Sequence, residues 1–342
     1  MNPFFMNELS LFLNVKFLYN TSLLLLIIFC LVTLNSKAQE YEPSVQDSST
    51  QSSTFIPSKG FHLGVYVGAY WGNRSTAYIY DGYGFDQNGQ RNTFDNSILR
   101  EQLVNVYGGG YGGNDLIAQL LNVGHTDWYF RETDMPINLR YTTTYLVGLN
   151  MRYQINKKAG ITLNINASKL VVNGKFTIGT LATSNTSGSG NGNGLQNQAQ
   201  IHQFTITGAE QRLMFQLGYQ RIIGKHEKLN LLVEGGLNVT MAKAQKNQAF
   251  LNNDLNGGAN NFTIDLMSAY NQAPYNFYSA KYLIGVGVGA FGGIGLHLTI
   301  NPKYTIQLLY TPSYDRVPLG YTPSFKLQHG VGLRVYYNMS SI

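Results

Sequence analysis

The chain has 342 residues, of which only 12% are charged and 13% aromatic, with 37 glycines, 24 tyrosines and 18 phenylalanines. That composition leans toward β-structure with many tight turns and away from a bundle of membrane helices. The formal net charge of +6 comes without a clustered Lys/Arg run, which argues for ordinary surface charge and against a nucleic-acid site.

The first predicted element is the apolar run "TSLLLLIIFCLVTL" at 21–34, shorter than the roughly 20 residues a membrane-spanning helix needs. It reads as the core of a secretory signal spanning 1–38: Lys16 precedes it, and Ser36 and Ala38 supply the small residues before a cut at Gln39. Phe29 stands where a lipid-anchor motif needs a small residue before Cys30. Cys30 is the one cysteine of the sequence, so its removal excludes disulfides, a thiol nucleophile and cysteine metal ligands. Residues 39–59, "QEYEPSVQDSSTQSSTFIPSK", are polar and aperiodic and read as a flexible periplasmic leader.

From Gly60 to Asn338 apolar and polar or glycine residues alternate in eight runs, the mark of half-buried strands. They begin at Phe61, Tyr145, Ile161, Leu213, Leu229, Tyr282, Tyr304 and Leu327. In the first, Phe61, Leu63, Val65, Val67, Ala69 and Trp71 oppose His62, Gly64, Tyr66, Gly68 and Tyr70. Connections are short after runs two, four and six, and long at roughly 73–140, 178–203 and 246–278, with a medium loop at 311–324. Short turns at one end and long loops at the other describe a transmembrane β-barrel. Aromatic residues lie at both ends of the apolar faces. Phe61, Tyr153, Tyr219, Tyr304 and Tyr337 stand at the short-turn end; Trp71, Tyr145, Phe204, Tyr282, Tyr310 and Phe325 stand near the long loops. Two such belts are expected at the two bilayer interfaces, so the apolar face is the lipid face and glycine relieves crowding inside a narrow barrel.

The first long loop carries two stretches with helical apolar stripes separated by "GGGYGG". One sets Leu99, Leu103 and Val106 on a side, with Asp95 or Asn96 as N-cap; the other sets Leu116, Ile117, Leu120 and Leu121, following Asn114 and Asp115. Such a stripe needs a cover, and Leu99, Leu103, Val106, Leu116 and Leu120 are read either as a lid over their own barrel or as a docking surface for a neighbour.

The order of export signal, leader, eight strands and a final "GVGLRVYYNM" resembles the Bacteroidota outer-membrane barrel families of the PorT-like and OmpA type, over roughly residues 60–338. The resemblance implies a place in the outer membrane and a terminal strand, with Tyr337 as its aromatic signal, read by the assembly machinery. It implies roles from structural barrel to accessory subunit of secretion, assembly or gliding complexes.

The inward charges are Arg152, Glu234, Lys326 and Arg334, joined by Arg212. A buried carboxylate needs a partner, so Glu234 is expected to pair with these cations, as a structural plug or as an ion gate. His62 and His297 point inward without a Ser/Asp companion, and His125 has only Asp127, Glu132 and Asp134 nearby in sequence, a spacing with no known mechanism. The expectation is an all-β, eight-stranded antiparallel transmembrane barrel with long extracellular loops, the first partly helical. It is expected to be non-enzymatic, without cofactor or metal, to meet outer-membrane lipids and another outer-membrane protein but no nucleic acid, and to serve as a structural or accessory subunit. The alternative is a small gated channel or transporter.

Overall fold

Strands that alternate apolar and polar residues must find hydrogen-bond partners on both edges, and here they do so by closing a ring. A computed structural model describes residues 60–339 except 87, 89, 182–198, 227, 253–260, 270–282, 318 and 321–323. The residues expected to form the signal (1–38) and leader (39–59), and the interface residue Tyr282, lie outside the described residues. Eight long antiparallel strands form the barrel: β1 (Gly60–Trp71), β2 (Thr144–Asn156), β3 (Ala159–Thr180), β4 (Ile201–Ile223), β5 (Leu229–Leu251), β6 (Ile284–Thr299), β7 (Tyr304–Tyr310, resuming at Ser313–Arg316) and β8 (Phe325–Asn338). Each pairs with its neighbour in sequence, and β1 closes the ring by pairing with β8 from His62↔Asn338 to Trp71↔His329.

β7 extends further than the alternation suggests. Pro312 lacks an N–H and was read as the start of a loop, but pairing resumes beyond it in the same register, Ser313 facing Phe291 on one side and Gln328 on the other. Its carbonyl still accepts from Gly292 N at 2.9 Å.

Three strands are much longer than a bilayer requires. β3 has 22 residues, β4 23 and β5 23, whereas a tilted strand crosses in roughly 9–11. The extra length reverses its polarity. On β3 the outward side chains run Ile161, Leu163, Ile165, Ala167 and then Lys169, Asn173, Lys175; the inward ones run Thr162, Asn164, Asn166, Ser168 and then Leu170, Val172, Phe176, Ile178. β4 does the same in reverse order: inward Phe204 and Ile206 precede Glu210, Arg212 and Gln216. Near the membrane the barrel is apolar outside and polar inside. Beyond it the same strands are polar outside and apolar inside.

The inverted segment is where the first loop packs. A 3₁₀ turn at Arg74–Tyr80, α1 (Ile98–Arg100, continuing as a π-turn over Glu101–Val106) and α2 (Leu116–Leu121) bury Ile79, Tyr80, Leu99, Leu103, Ile117 and Leu120 against Val172, Phe176, Phe204, Ala249 and Leu251. Each such side chain contributes about 1.5–3 kcal/mol on leaving water, so this cap is a second core stacked on the barrel. Where β5 enters it, Gln245 is an extra residue opposite the step from Ala209 to Glu210, and inward positions pass from Ala242 and Ala244 to Asn247, Ala249 and Leu251. Gly208 is needed on β4 because a Cβ there would lie 2.2 Å from the Tyr80 ring.

Three readings of this region are corrected. Phe204 is 4% exposed and faces the cap core instead of an interface belt, because its apolar phase belongs to the inverted part of β4. Ser97, not Asp95 or Asn96, is the residue before α1. Val106 and Leu116 do not share the burial of Leu99, Leu103 and Leu120; they are 45% and 38% exposed, since the π-turn rotates Val106 off the stripe and Leu116 occupies the first position of α2.

Leu103→Asp is expected to release the cap alone: protease cleavage within 72–143 should accelerate at least tenfold while the barrel keeps its heat-dependent shift in gel mobility. Leu103→Ala should cost about 2–5 kcal/mol of cap stability, measured by the same proteolysis in increasing urea.

Candidate functional site

Inward side chains at membrane height include polar groups on every strand, beside an apolar cluster of Ile222, Leu232 and Leu309, and a ring of eight leaves room for little else. The polar groups form a column of buried ion pairs and amides. Midway, Glu234 on β5 accepts from Thr162 Oγ1 and Asn164 Nδ2 at 2.9 Å each through one oxygen, and from Arg334 Nη1 at 2.7 Å through the other. Arg334 Nη1 also reaches Gln307 Oε1 at 3.4 Å, and Gln307 Nε2 lies 3.1 Å from His297 Nδ1. Five strands are thereby tied across the lumen.

A second pair sits where the lumen meets the cap. Arg212 Nε donates to Glu210 Oε1 at 2.6 Å, and Glu210 Oε2 accepts from the hydroxyls of Tyr80 and Tyr141 at 3.1 and 3.0 Å. The remaining guanidinium nitrogens reach Tyr70, Gln328 and Thr76 at 3.1–3.2 Å. Tyr80 and Thr76 come from the first loop, so this pair fastens the cap to the barrel floor. Between the two pairs, Asp315 on β7 accepts from Asn238 Nδ2 at 3.0 Å and Thr240 Oγ1 at 2.7 Å. Leaving one member of such a network without its partner in a low-dielectric interior is costly, so these groups act as cross-braces.

The five cations and anions expected in one network are therefore divided. Glu234 and Arg334 form one pair, and Arg212 belongs to the other with Glu210. Arg152 is buried at the short-turn end with its guanidinium 4.6 Å from the Tyr336 ring centre, and its Nε and Nη1 make no hydrogen bond among the described residues. Lys326 lies in register with Asp315 on the inward side of β8, half-buried, and joins none of the ion pairs among the described residues. Glu210 and Asp315 escaped the sequence reading, the first because it precedes the alternating run that begins at Leu213, the second because it lies in the stretch 311–324 read as a loop.

The cavity beneath the cap, lined by Tyr66, Tyr70, Asn166, Met214, Gln216 and Arg334 among others, holds about 10 Å³, the space of about one water. Outside, Phe61, Tyr153 and Tyr219 fall in one row at the short-turn end through Ile161, and the Tyr304 and Tyr337 ring centres lie 5.3 Å apart. At the other end Trp71, Tyr145 and Tyr310 are exposed, Tyr310 Oη lying 2.7 Å from His329 Nδ1.

In the cap, His125 Nδ1 lies 2.6 Å from Asp115 Oδ2, which also accepts from Trp128 Nε1 at 2.9 Å; the other oxygen caps α2 through Ala118 N. Asp134 is engaged elsewhere, by Thr177 Oγ1 at 2.6 Å. Among the described residues no group of three or more His, Cys, Asp or Glu side chains is placed to hold a metal ion. Burial pushes the Asp81 carboxyl above the usual carboxylate range, although Arg91 Nε stands 2.8 Å away. His62 and His297, both buried, bond to Gly60 O and Gln307 respectively.

No family model and no curated protein matches the chain. Among solved structures it is similar to the outer-membrane protein OprG of Pseudomonas aeruginosa, at 9% identity over 83% of this chain and 99% of that one, with a TM-score of 0.34. It is also similar to Ail, the attachment invasion locus protein of Yersinia pestis, at 8% identity over 82% and 99% of the two chains and a TM-score of 0.29. The N-terminal barrel domain of Pseudomonas aeruginosa OprF follows at 12% identity, 60% and 93% coverage and a TM-score of 0.26.

Arg334→Met, which strands the Glu234 carboxylate in the lumen, should lower the stability of the folded barrel by about 3–5 kcal/mol, read from the urea midpoint in lipid vesicles. Combining it with Glu234→Leu should restore most of that loss, and an equal loss in the double variant would show that packing, not charge, is at stake.

Proposed function

We propose that this is a non-enzymatic outer-membrane barrel that holds a rigid extracellular cap as a docking platform for another surface or outer-membrane protein. One observation carries the reading: the loop that a transport barrel would leave free is packed into the barrel's own inverted upper face, above a lumenal cavity with space for about one water. A barrel so braced has little use as a conduit and a good use as a stand. The export signal expected at 1–38 and the two aromatic belts support the placement in the outer membrane.

The five loop residues divide by role. Leu99, Leu103 and Leu120 hold the cap down, whereas Val106 and Leu116 project from its surface beside Tyr111, which is 72% exposed. Exposed apolar side chains on an otherwise well-packed unit suit a protein contact.

Affinity purification of the tagged chain from native outer membranes in mild detergent should bring down a stoichiometric partner. Replacing Val106, Leu116 and Tyr111 together by serine should release that partner at least tenfold while the barrel stays folded. Steady ion conductance by the wild-type chain in a planar bilayer, with no partner retained, would instead favour the gated channel built on Glu234, Arg334 and Arg152.

A further inference from the structure

The lipid-facing surface is interrupted at one place. On β5 and β6 the outward positions Gly235 and Gly292 face each other in register, between Val233 and Ile294 on the periplasmic side and Leu237 and Ala290 above. Neither glycine is required by its neighbours: a Cβ on Gly235 would come no closer than 3.6 Å to Phe291 O, and one on Gly292 no closer than 4.0 Å to Glu234 O. Beside this bare patch, along the β4–β5 seam, lies an open groove of about 380 Å³ lined by Tyr219, Arg221, Ile223, Val233 and Gly235, with Gly292 next to Gly235 beyond its lining and Glu234 contributing backbone while its carboxylate turns into the lumen.

Charge is concentrated at the same end. Arg221 is exposed on the lipid-facing side of β4, level with Val233 and two residues from the end of the strand. The short turns below carry Lys157, Lys158, Lys225, Lys228 and Lys303, all exposed, against one carboxylate in their sequence, Glu227. A long cationic side chain at an interface extends toward headgroups, and basic clusters beside membrane segments select anionic lipid.

We infer that this groove holds an anionic glycerophospholipid of the periplasmic leaflet, with its phosphate on Arg221 and one acyl chain lying over Gly235 and Gly292. The inference rests on the reading of the apolar belt as embedded in a bilayer. The bare glycine floor accepts the chain, Tyr219 flanks it, and the guanidinium fixes the depth of the headgroup. The lysine rim raises the local concentration of negative headgroups without defining the site.

The test is native mass spectrometry of the full chain titrated with phosphatidylglycerol in mixed micelles. One lipid should remain bound to the wild type under activation that strips detergent. Gly235→Leu with Gly292→Leu, which the open space accommodates, and separately Arg221→Gln, should each raise the half-saturating lipid concentration more than tenfold; Lys303→Gln should change it less than twofold. Wild-type binding by the leucine pair, or equal weakening by Lys303→Gln and Arg221→Gln, would overturn the site. So would a dimer that the leucine pair converts to monomer, since the groove would then be a contact between copies. Flotation with vesicles separates the two claims: a chain that inserts but retains no lipid refutes the groove alone, and one that fails to insert refutes the membrane reading.

Discussion

The structure depends on a change of solvent along single strands. A backbone in hydrocarbon must satisfy every N–H and C=O internally, and a closed ring of strands does so without an edge. Once closed, the ring has one face toward lipid and one toward a lumen too narrow for bulk water. On β3, β4 and β5 the hydrogen-bonded ladder then runs on past the bilayer, where water lies outside and the interior can be apolar. The switch from Ile165 and Ala167 to Lys169 on the outside, matched by Ser168 to Leu170 on the inside, marks that boundary in sequence.

Each part of the molecule follows from this boundary. Below it, inward polar groups cannot be hydrated freely and must satisfy one another, hence Glu234 with Arg334, Thr162 and Asn164. Above it, an apolar inner face would be exposed at the barrel mouth, and the first loop supplies the cover. At the junction the two regimes meet in Glu210 and Arg212, whose partners come from the barrel (Tyr70, Gln328), from the cap (Thr76, Tyr80) and from the segment leading into β2 (Tyr141). Cap and barrel wall are thus joined by one hydrogen-bonded cluster, set apart from the Glu234–Arg334 pair below it.

Most of the barrel was legible because period-2 alternation with the apolar residues outward is a direct image of lipid on one side. The runs starting at Phe61, Tyr145, Ile161 and Leu213 all lie on their strands. What escaped is what the inversion hides: Leu170, Val172, Phe176 and Ile178 alternate as regularly as Ile161 to Ala167, but on the opposite phase, and a reading that followed one phase ended there. Phe204 was placed in a belt for that reason. Asp315 was hidden by Pro312, which interrupts a strand in sequence without shifting its register in space. The loop helices were recognisable by their stripes, yet the π-turn that exposes Val106 has no signature in a 3.6-residue period. The pairing of Arg334 with Glu234 depends on a cross-lumen distance, which no local pattern contains, whereas Glu210 lies two residues from Arg212 on the same face of β4.

The most direct test of the boundary is a spin-label scan of β3 in lipid vesicles, with a single cysteine introduced at each position from 161 to 179 and Cys30 replaced. Collision with dissolved oxygen reports lipid, and collision with a water-soluble nickel chelate reports solvent. The account predicts high oxygen access at 161, 163 and 165, high nickel access at 169, 173, 175 and 177, and low access to both at the even positions throughout. Oxygen access that continued at the odd positions through 177, or nickel access along the even positions of the lower half, would contradict it.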